Sequence, residues 1–362
     1  MNKLGYTGAI KKMDLPKRPN VPYKELENIF ENSLNQLKTF YILKSSIDLK
    51  LYDHLKGYKS FKEVSDMVNL KSILTYYILE ILNKLGLVEK KDGLYKNSEL
   101  SDLYLNSDSP YYKGKGFILI TEKINMWENL INTMKSNIKK KDNNHFPLII
   151  QVMGENTISG DLYDVVELIS NLDEFKKAKK FLEIGGGHGF YTIALNHIKP
   201  DLEAFVFDLQ NVIVETKKYI EKYDSKVKTI VGDFYKDSFG ENFDIIFSSY
   251  NPSGKNPDIA KKVYESLKMG GLFIIKQNFP SENECDGLDE LLANFEWNLT
   301  GLTNSKKGKR AFTFEKDLFF NDYIVFLENL GFEIIDVSKV NDLSPFANAT
   351  INDKVIIAKK VG

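Results

Sequence analysis

The feature that most constrains this chain is the glycine-rich segment Glu183-Ile184-Gly185-Gly186-Gly187-His188-Gly189, which ends an apolar stretch. Glycine adopts backbone conformations with positive φ and leaves space beside the backbone for another molecule. The segment is therefore predicted to be a tight turn between a buried strand and a helix. Such a turn at a strand end is typical of a site for a nucleotide-like cofactor.

Two further strand ends are predicted to face the same ligand. Phe205-Val206-Phe207-Asp208 is an apolar strand that ends in a carboxylate, and Val231-Gly232-Asp233-Phe234 follows a third strand. In a parallel sheet the three ends would meet at one edge. A dinucleotide fingerprint needs a further glycine where this chain has Phe190, so the pattern favours a cofactor of another kind.

Apolar strands and helical stretches alternate from about residue 180 onward. Helices are predicted over 212–223 and 257–268, and strands near 180–184, 203–208, 227–231, 243–248 and 271–276. This alternation predicts an α/β fold with a doubly wound parallel sheet. The last two β-prone segments, 332–340 and 354–359, are too close in sequence for a helical crossover, so they are expected to pair antiparallel.

The N-terminal part of the chain has the pattern of a winged helix. Ser60 and Glu63 form a predicted capping box, a helix is predicted over 71–86, and Asp92-Gly93 is typical of a hairpin turn. The predicted helix carries apolar residues on more than one face, whereas a DNA-reading helix needs polar and basic side chains. We therefore expect contact with a second copy of the chain, in a homodimer, rather than with nucleic acid.

Composition narrows the classes of function. The 362 residues carry a net charge of −1, and the basic residues are almost all lysine, with Arg18 and Arg310 as exceptions, which disfavours a polyanionic substrate. No segment is long and apolar enough to cross a membrane, no secretory signal is evident, and Cys285 is the single cysteine. We expect a cytoplasmic protein with no membrane partner and no metal.

The predicted domains are a flexible tail (1–22), a winged-helix dimerisation domain (23–108), a helical connector (109–178) and a catalytic domain (179–362).

The glycine segment, with Glu183 before it, resembles the first motif of class I S-adenosylmethionine-dependent methyltransferases. Together with Phe207-Asp208-Leu209 and Gly232-Asp233-Phe234-Tyr235 it is similar to the O-methyltransferase family of the plant caffeic acid and hydroxyindole enzymes. The resemblance implies a Rossmann-like sheet, an N-terminal dimerisation domain and S-adenosylmethionine as cofactor. It also implies a set of cofactor-binding residues, namely Glu183, Gly185, Gly187, Asp208, Leu209, Asp233, Phe234, Ser248 and Met153.

Individual roles follow from the same resemblance. The glycine segment would lie along the methionine and sugar parts of the cofactor, and Asp208 would accept hydrogen bonds from the ribose hydroxyls. Asp233 would accept from the adenine amino group while Phe234 packs on the base. Met153 and Thr157 resemble the family's M-x-x-x-S/T helix beside the cofactor, although Met153 is equally compatible with an ordinary place in the core.

One part of the family pattern is missing. Family members that methylate phenols have a histidine in an L-H-D-W segment, which removes the hydroxyl proton, whereas this chain has Ser248-Ser249-Tyr250-Asn251-Pro252-Ser253-Gly254. A positioned base commonly contributes about 10²–10⁴-fold to the rate. Tyr250 and Asn251 are the candidates for orienting the acceptor, or are loop residues with local hydrogen bonds. The other titratable candidates for a proton acceptor are His188, Glu155, Glu315 and Asp322.

Two further sequence features could belong to the acceptor site. Phe295, Trp297, Phe312 and Phe314 are expected either to wall an apolar cleft or to be ordinary core. The segment 305–310 is expected to be a solvated loop or a lid that attracts an anionic acceptor.

The hypothesis from the sequence is methyl transfer from S-adenosylmethionine to a small molecule, with oxygen as the preferred acceptor atom. Three alternatives stay open: a sulfur or carbon methyltransferase, a cofactor-binding protein with another activity, and a winged-helix regulator.

Overall fold

The computed structural model describes residues 19–135, 146–251, 254–280, 287–299 and 310–362. Two compact units follow each other along the chain, and they divide between Ser109 and Pro110. His145, Cys285, the segment 305–309 and most of the predicted tail lie outside the described residues. The finer domain boundaries given above remain predictions.

The first unit combines helices with a small antiparallel sheet of order β1-β3-β2. Its elements are α1 (Lys24–Asp48), a 3₁₀ turn (Leu51–His54), β1 (Lys59–Ser60), α2 (Phe61–Met67), α3 (Ser72–Lys84), β2 (Val88–Lys91), β3 (Leu94–Asn97) and α4 (Glu99–Tyr104). Ser60 and Glu63 form the predicted capping box at the start of α2. Asp92 and Gly93, with φ of 51° and 76°, make the predicted hairpin turn between β2 and β3, since such turns need positive φ at both positions.

Helix α3 has one buried face and one exposed apolar face. Leu79 and Leu82 are fully buried in the core of the first unit. Ile73, Leu74 and Tyr77 are more than half exposed, at 59%, 54% and 56%. A helix that is apolar on both faces is expected to have a partner on the exposed one.

The second unit begins with helices. These are α5 (Gly114–Glu128), α6 (Leu130–Lys135), α7 (Phe146–Ile158), α8 (Leu162–Asn171) and α9 (Asp173–Lys177). The described part of the predicted connector is therefore largely helical.

The rest of the second unit is a seven-stranded sheet with helices between its strands. In chain order the elements are β4 (Lys180–Ile184), α10 (Phe190–Ile198), β5 (Glu203–Asp208), α11 (Gln210–Lys222), β6 (Lys228–Val231), β7 (Phe243–Ser249), α12 (Pro257–Ser266), β8 (Leu267–Asn278), α13 (Leu288–Leu299), α14 (Phe320–Leu330), β9 (Phe332–Lys339), α15 (Val340–Leu343) and β10 (Asp353–Lys360).

The strand order of this sheet is β6-β5-β4-β7-β8-β10-β9. Strands β4 to β8 pair in parallel, and β10 pairs antiparallel with both β8 and β9. The doubly wound α/β fold and the terminal antiparallel pair predicted from the sequence are confirmed. Since β5 lies on one side of β4 and β7 on the other, the strand order reverses at β4, which is where ligands bind in sheets of this kind.

Both faces of the sheet are buried. Val206, Phe247 and Ile274 face one apolar core, and Phe207, Ile246 and Ile275 face the other. Strands covered on both sides are apolar at their centres, as Ile245-Ile246-Phe247 of β7 and Leu272-Phe273-Ile274-Ile275 of β8 show. The carboxyl ends of the strands are consequently held rigidly at one edge.

Two kinds of feature are absent from the described residues. No helix among them combines the length and apolar character that crossing a lipid bilayer requires. No group of three or more histidine, cysteine, aspartate or glutamate side chains in the same residues is placed to hold a metal ion.

Candidate cofactor and acceptor site

We define residues 185–189 as the glycine turn. Its backbone conformation would be strained if residues with side chains replaced the glycines. Gly185 and Gly187 have φ of 61° and 53°, a left-handed conformation that costs other residues about 1–2 kcal/mol. A Cβ atom on Gly185 would also lie 2.7 Å from the Cβ of Asn251. The course of the turn between β4 and α10 therefore depends on glycine.

Asp208, at the end of β5, lies directly against this turn. Its Oδ2 accepts a hydrogen bond from the Gly187 N–H at 2.9 Å, and its Oδ1 accepts from the Leu209 N–H at 2.8 Å. A carboxylate has about four acceptor positions, so two remain for other donors. Burial raises the pKa of Asp208 to about 6, although the hydrogen bonds from the two N–H groups lower it. The arrangement suits recognition of a pair of hydroxyls.

Glu183 is at the end of β4 and is 1% exposed. Its carboxylate accepts a hydrogen bond from the hydroxyl of Thr192 in α10. Burial raises the pKa of Glu183 to about 7. In this structure Glu183 fixes the two elements on either side of the glycine turn, and its predicted contact with a cofactor remains a prediction.

His188 connects the glycine turn to α7. Its Nδ1 accepts from the Phe190 N–H at 3.1 Å, so the ring proton is on Nε2, which lies 3.1 Å from the Thr157 hydroxyl. Burial lowers the pKa of His188 to about 3. The ring is neutral and both nitrogens are engaged, which makes it a structural residue rather than a proton acceptor. Met153, half-buried one turn before Thr157 on α7, is on the helix that flanks the turn.

The segment after β6 carries the other predicted cofactor contacts. Asp233 accepts from the Tyr235 N–H at 2.9 Å and forms an ion pair with Lys236 at 3.0 Å. The carbonyl of Phe234 accepts from Lys262 at 2.6 Å, and the Phe234 ring packs half-buried against the core. Leu209, at the start of α11, is partly exposed. These groups therefore lie at the same sheet edge as Asp208.

Asn251, after β7, braces the glycine turn. Its side-chain amide donates to the Ile184 carbonyl at 3.1 Å and to the Ser248 hydroxyl, and Ser248 is fully buried. Gln277, from β8, donates to the Asn251 carbonyl at 2.9 Å. The Asn251 side chain thus stabilises the glycine turn. Its predicted role in orienting an acceptor stays a prediction.

Tyr250 has a φ of 46°, a left-handed conformation that a residue of this size rarely adopts. Its N–H donates to the Lys276 carbonyl at 2.9 Å. Burial and the hydrogen bond to Asp353 raise the pKa of its hydroxyl. The side chain of Tyr250 is half-buried and keeps its proton at neutral pH, so it acts as a hydrogen-bonding group and not as a base.

A buried charged network lies behind the turn. Lys276 of β8 forms an ion pair with Asp161 and lies 2.6 Å from the Tyr191 hydroxyl, which itself donates to Asp161 at 2.7 Å. The Lys276 ammonium is also 4.7 Å from the ring centroid of Tyr250. Burial lowers the pKa of Lys276, while Asp161 raises it. No sequence motif predicted this network.

The other candidates for a proton acceptor are scattered. Glu155 is half-buried on α7, and burial raises its pKa. Glu315 and Asp322 are exposed. None of the three lines the cavity described next.

A cavity of about 200 Å³ is lined by Phe314 and by two charged residues that sequence reasoning missed, Lys255 and Asp317. The four predicted aromatic residues do not form one wall, because Phe295 is separate from the other three. Phe295 stacks on Trp127 at 5.5 Å between ring centroids, while Trp297 contacts Phe312 at 5.4 Å and Phe314 at 5.6 Å.. Of these four, only Phe314 lines the cavity. Arg310, from the segment predicted to be a loop or lid, lines it as well.

Comparison with known families gives two matches. Residues 139–309 match the sequence model of the O-methyltransferase domain, and residues 32–107 match that of the O-methyltransferase dimerisation domain. The second region contains α3 with its exposed apolar face.

Individual proteins agree with these matches. An uncharacterised protein of Methanocaldococcus jannaschii, MJ0086, is 42% identical over 337 residues, which cover 91% of this chain and 90% of that protein. Among solved structures, an O-methyltransferase family protein of Burkholderia thailandensis has a TM-score of 0.71 at 15% identity, covering 95% of this chain and 99% of that one. Human N-acetylserotonin methyltransferase, solved in complex with S-adenosylmethionine, has a TM-score of 0.68 at 17% identity over 96% of this chain and 100% of that one.

More distant relatives, 21% to 28% identical, bear the names of oxygen, nitrogen and carbon methyltransferases. The family resemblance inferred from the glycine turn and the two following strand ends is confirmed. The chain belongs to the O-methyltransferase family and is an S-adenosylmethionine-dependent methyltransferase.

Proposed function

We propose that this protein transfers the methyl group of S-adenosylmethionine to a hydroxyl oxygen of a small molecule. The observation that carries the proposal is the convergence of the glycine turn and the Asp208 carboxylate at the edge where the strand order reverses. Asp208 is held by two backbone N–H groups and keeps acceptor positions for a ribose diol. The residues present therefore fit the cofactor.

Each predicted contact has a role in this proposal. Asp208 accepts from the ribose hydroxyls, Asp233 accepts from the adenine amino group, and Phe234 packs on the base. The backbone of Gly185 and Gly187 lies along the methionine and sugar parts. The remaining members of the set form the walls of the site or hold the turn in shape, namely Leu209, Met153, Ser248 and Glu183.

When bound, S-adenosylmethionine supplies a methyl group on a positively charged sulfur, which is a good leaving group. The protein contributes alignment, since displacement requires the acceptor atom, the methyl carbon and the sulfur to be in line. Tyr250 and Asn251 are the positioning residues at the end of β7. Asn251 acts through the glycine turn that it contacts.

A sulfur or carbon methyltransferase is the second candidate. It is favoured by the absence of the family's histidine, because the chain has Ser248-Ser249-Tyr250-Asn251-Pro252-Ser253-Gly254 where the family has its L-H-D-W segment. A thiol ionises more readily than a phenol and needs a base less.

We further infer that two copies of the chain associate through the first unit. Support comes from the match to a dimerisation domain and from the exposed Ile73, Leu74 and Tyr77 of α3. Burying this apolar face on a second copy would remove it from water.

Calorimetric titration tests the cofactor assignment without knowledge of the acceptor. The wild type should bind S-adenosylmethionine and S-adenosylhomocysteine but not NAD. Asp208→Ala should weaken binding at least about tenfold, because hydrogen bonds to a charged group contribute about 1.5–3 kcal/mol each. Asp201→Ala, which removes an exposed aspartate just before β5, is the matched control and should bind like the wild type.

The acceptor atom requires a second experiment. Methyl transfer from labelled S-adenosylmethionine should be measured on parallel panels of phenols and thiols, with the products identified by mass spectrometry. O-methylated products support the proposal, whereas exclusive S- or C-methylation replaces it with the second candidate. Tight binding of NAD alone would overturn the cofactor assignment itself.

A further inference from the structure

The cavity of about 200 Å³ lies at the edge of the sheet that carries the glycine turn. Lys255 follows β7, Pro280 follows β8, and the third wall is the segment 310–319 before α14. Strands β7 and β8 run parallel to β4, so their carboxyl ends are at the same edge as the end of β4. The cavity is therefore on the side of the sheet where the methyl donor is proposed to bind.

A series of contacts fixes the position of Lys255 relative to the glycine turn. Asn251 donates to the Ile184 carbonyl and fills the space beside Gly185. The Asn251 carbonyl accepts from the Gly254 N–H at 3.2 Å, and Lys255 is the next residue. The turn after β7 thus joins the glycine turn at one end to the cavity at the other.

Lys255 is 1% exposed, which is rare for a lysine. Its ammonium donates to the carbonyl of Asn278, the last residue of β8, at 2.8 Å. Burial lowers the pKa of Lys255 to about 8, and the nearby carboxylates of Asp317 and Asp353 act in the opposite direction. The Lys255 ammonium therefore places a positive charge in the wall of the cavity, and this charge has little contact with water.

Asp317 supplies a buried acceptor with unused capacity. Its Oδ2 accepts from the Phe314 N–H at 3.0 Å, whereas its Oδ1 has no hydrogen-bond partner among the residues that the structure describes. Leaving a buried polar group without a partner costs about 1–3 kcal/mol, and such groups call for a functional explanation. Burial raises the pKa of Asp317 to about 7, while Lys255 lowers it, and the buried Tyr323 hydroxyl is a further titratable neighbour, with Arg310 in the wall of the same cavity.

The other walls suit one aromatic ring. Phe314, Phe319 and Pro280 are apolar, and the Arg310 guanidinium lies 5.7 Å from the ring centroid of Phe319. A cavity of about 150 Å³ already accommodates benzene, so the space here admits a single ring with small substituents.

We propose that Lys255 and Asp317 take the place of the missing histidine, with the acceptor hydroxyl of a single-ring phenol donating to Oδ1 of Asp317 and accepting from the Lys255 ammonium. This inference rests on the proposed function, because it assigns the acceptor half of the same site. Asp317 is then the catalytic base, and Lys255 stabilises the negative charge that develops on the oxygen.

The proposed step balances in atoms and charge. The hydroxyl proton passes to Asp317, a bond forms between the oxygen and the methyl carbon, and the carbon–sulfur bond of the sulfonium breaks. The electron pair of that bond stays on sulfur, which becomes the neutral thioether of S-adenosylhomocysteine. The proton on Asp317 is released to water before the next turnover.

Kinetics of two near-isosteric variants test the roles separately, with 4-methylphenol as acceptor, because a phenol of ordinary acidity is not ionised at neutral pH and needs the base. Asp317→Asn should lower kcat by about 10²–10⁴-fold, and Lys255→Met by about 10²–10³-fold. Asp336→Asn and Lys339→Met, on the exposed side of β9, are the matched controls and should behave like the wild type. Unchanged calorimetric binding of S-adenosylmethionine verifies that each variant is folded.

The pH profile distinguishes a catalytic from a structural role. The wild-type kcat/KM should fall below about pH 7 as Asp317 is protonated and above about pH 8 as Lys255 loses its proton. Asp317→Asn should remove the acidic limb. Lys255→Met should remove the alkaline limb and move the acidic limb to higher pH, because the positive charge that lowers the Asp317 pKa is gone. Wild-type profiles in both variants would contradict the assignment.

A binding measurement provides a readout that does not depend on turnover. The 4-nitrophenolate ion absorbs visible light and the neutral phenol does not, so absorbance reports ionisation of the bound probe in the presence of S-adenosylhomocysteine. Lys255→Met should raise the apparent pKa of the bound probe. Failure of the wild type to bind the probe, or an unchanged probe pKa in the variant, overturns this inference. Failure to bind S-adenosylmethionine instead overturns the proposed function.

Discussion

Lys276→Met should destabilise the protein strongly because it leaves Asp161 without its cation. The two side chains are 2% and 8% exposed, and the Lys276 ammonium also contacts the Tyr191 hydroxyl at 2.6 Å. Removing one partner of a buried ion pair costs about 3–5 kcal/mol, since the other charge stays buried and uncompensated. We expect a loss of this size in the free energy of unfolding of Lys276→Met.

Two comparisons isolate the cause. Lys316→Met breaks an ion pair with Asp258 whose side chains are 60% and 55% exposed, and it should have no measurable effect because the charges remain in water. The double variant Lys276→Met/Asp161→Asn should recover part of the loss, since neither charge is then left buried. The two single effects therefore should not add.

Chemical denaturation by urea, followed by fluorescence and circular dichroism, measures these free energies when both probes give one transition. Equal stability of Lys276→Met and Lys316→Met would refute the reasoning. Strict additivity in the double variant would likewise show that Lys276 and Asp161 do not stabilise each other.

Three further predictions follow from the structure. Gly185→Ala should lower the free energy of unfolding by about 2–5 kcal/mol, from backbone strain and overlap with Asn251. Gly57→Ala, where an added Cβ has nothing within 4 Å, should have little effect in the same urea experiment. Burial raises the pKa of Glu183 from 4.5 to about 7 in the folded protein, so the free energy of unfolding of the cofactor-free protein should fall as pH rises through this range. Unfolding measured across pH should show a loss of about 2–4 kcal/mol in the wild type and no such loss in Glu183→Gln. Leu74→Glu on the exposed face of α3 should yield monomers in size-exclusion chromatography with light scattering, whereas Val325→Glu, equally exposed on α14, should not.

The geometry of the glycine turn could be predicted because its signals are local in sequence. Gly185 and Gly187 have positive φ, as the motif required, and Asp208 lies against the turn between them. The capping box of α2 and the hairpin turn at Asp92 were likewise correct, since both depend on neighbours a few residues away. Strand ends were displaced by a few residues, as in β8, which starts at Leu267 rather than 271.

The residues proposed here for the acceptor half could not be predicted in the same way. No motif marked Lys255 or Asp317, and the four aromatic residues were proposed as one wall although a single one of them lines the cavity. His188 was a candidate base until its two ring nitrogens were found to be engaged. Whether a lysine or a histidine is a reactive group depends on its burial and its partners. Neither can be read from the residues next to it in the sequence.

The amino-acid sequence alone determined the α/β sheet, the order of its elements and the strand ends where the glycine turn and Asp208 lie, because strand periodicity and glycine turns are properties of short segments. The tertiary structure decided which charges meet. Lys276 and Asp161 are 115 residues apart in sequence, and only the packing of β8 against the helices brings them together away from water. Desolvation and partner distance set the energies of such groups, and both exist only in the folded molecule.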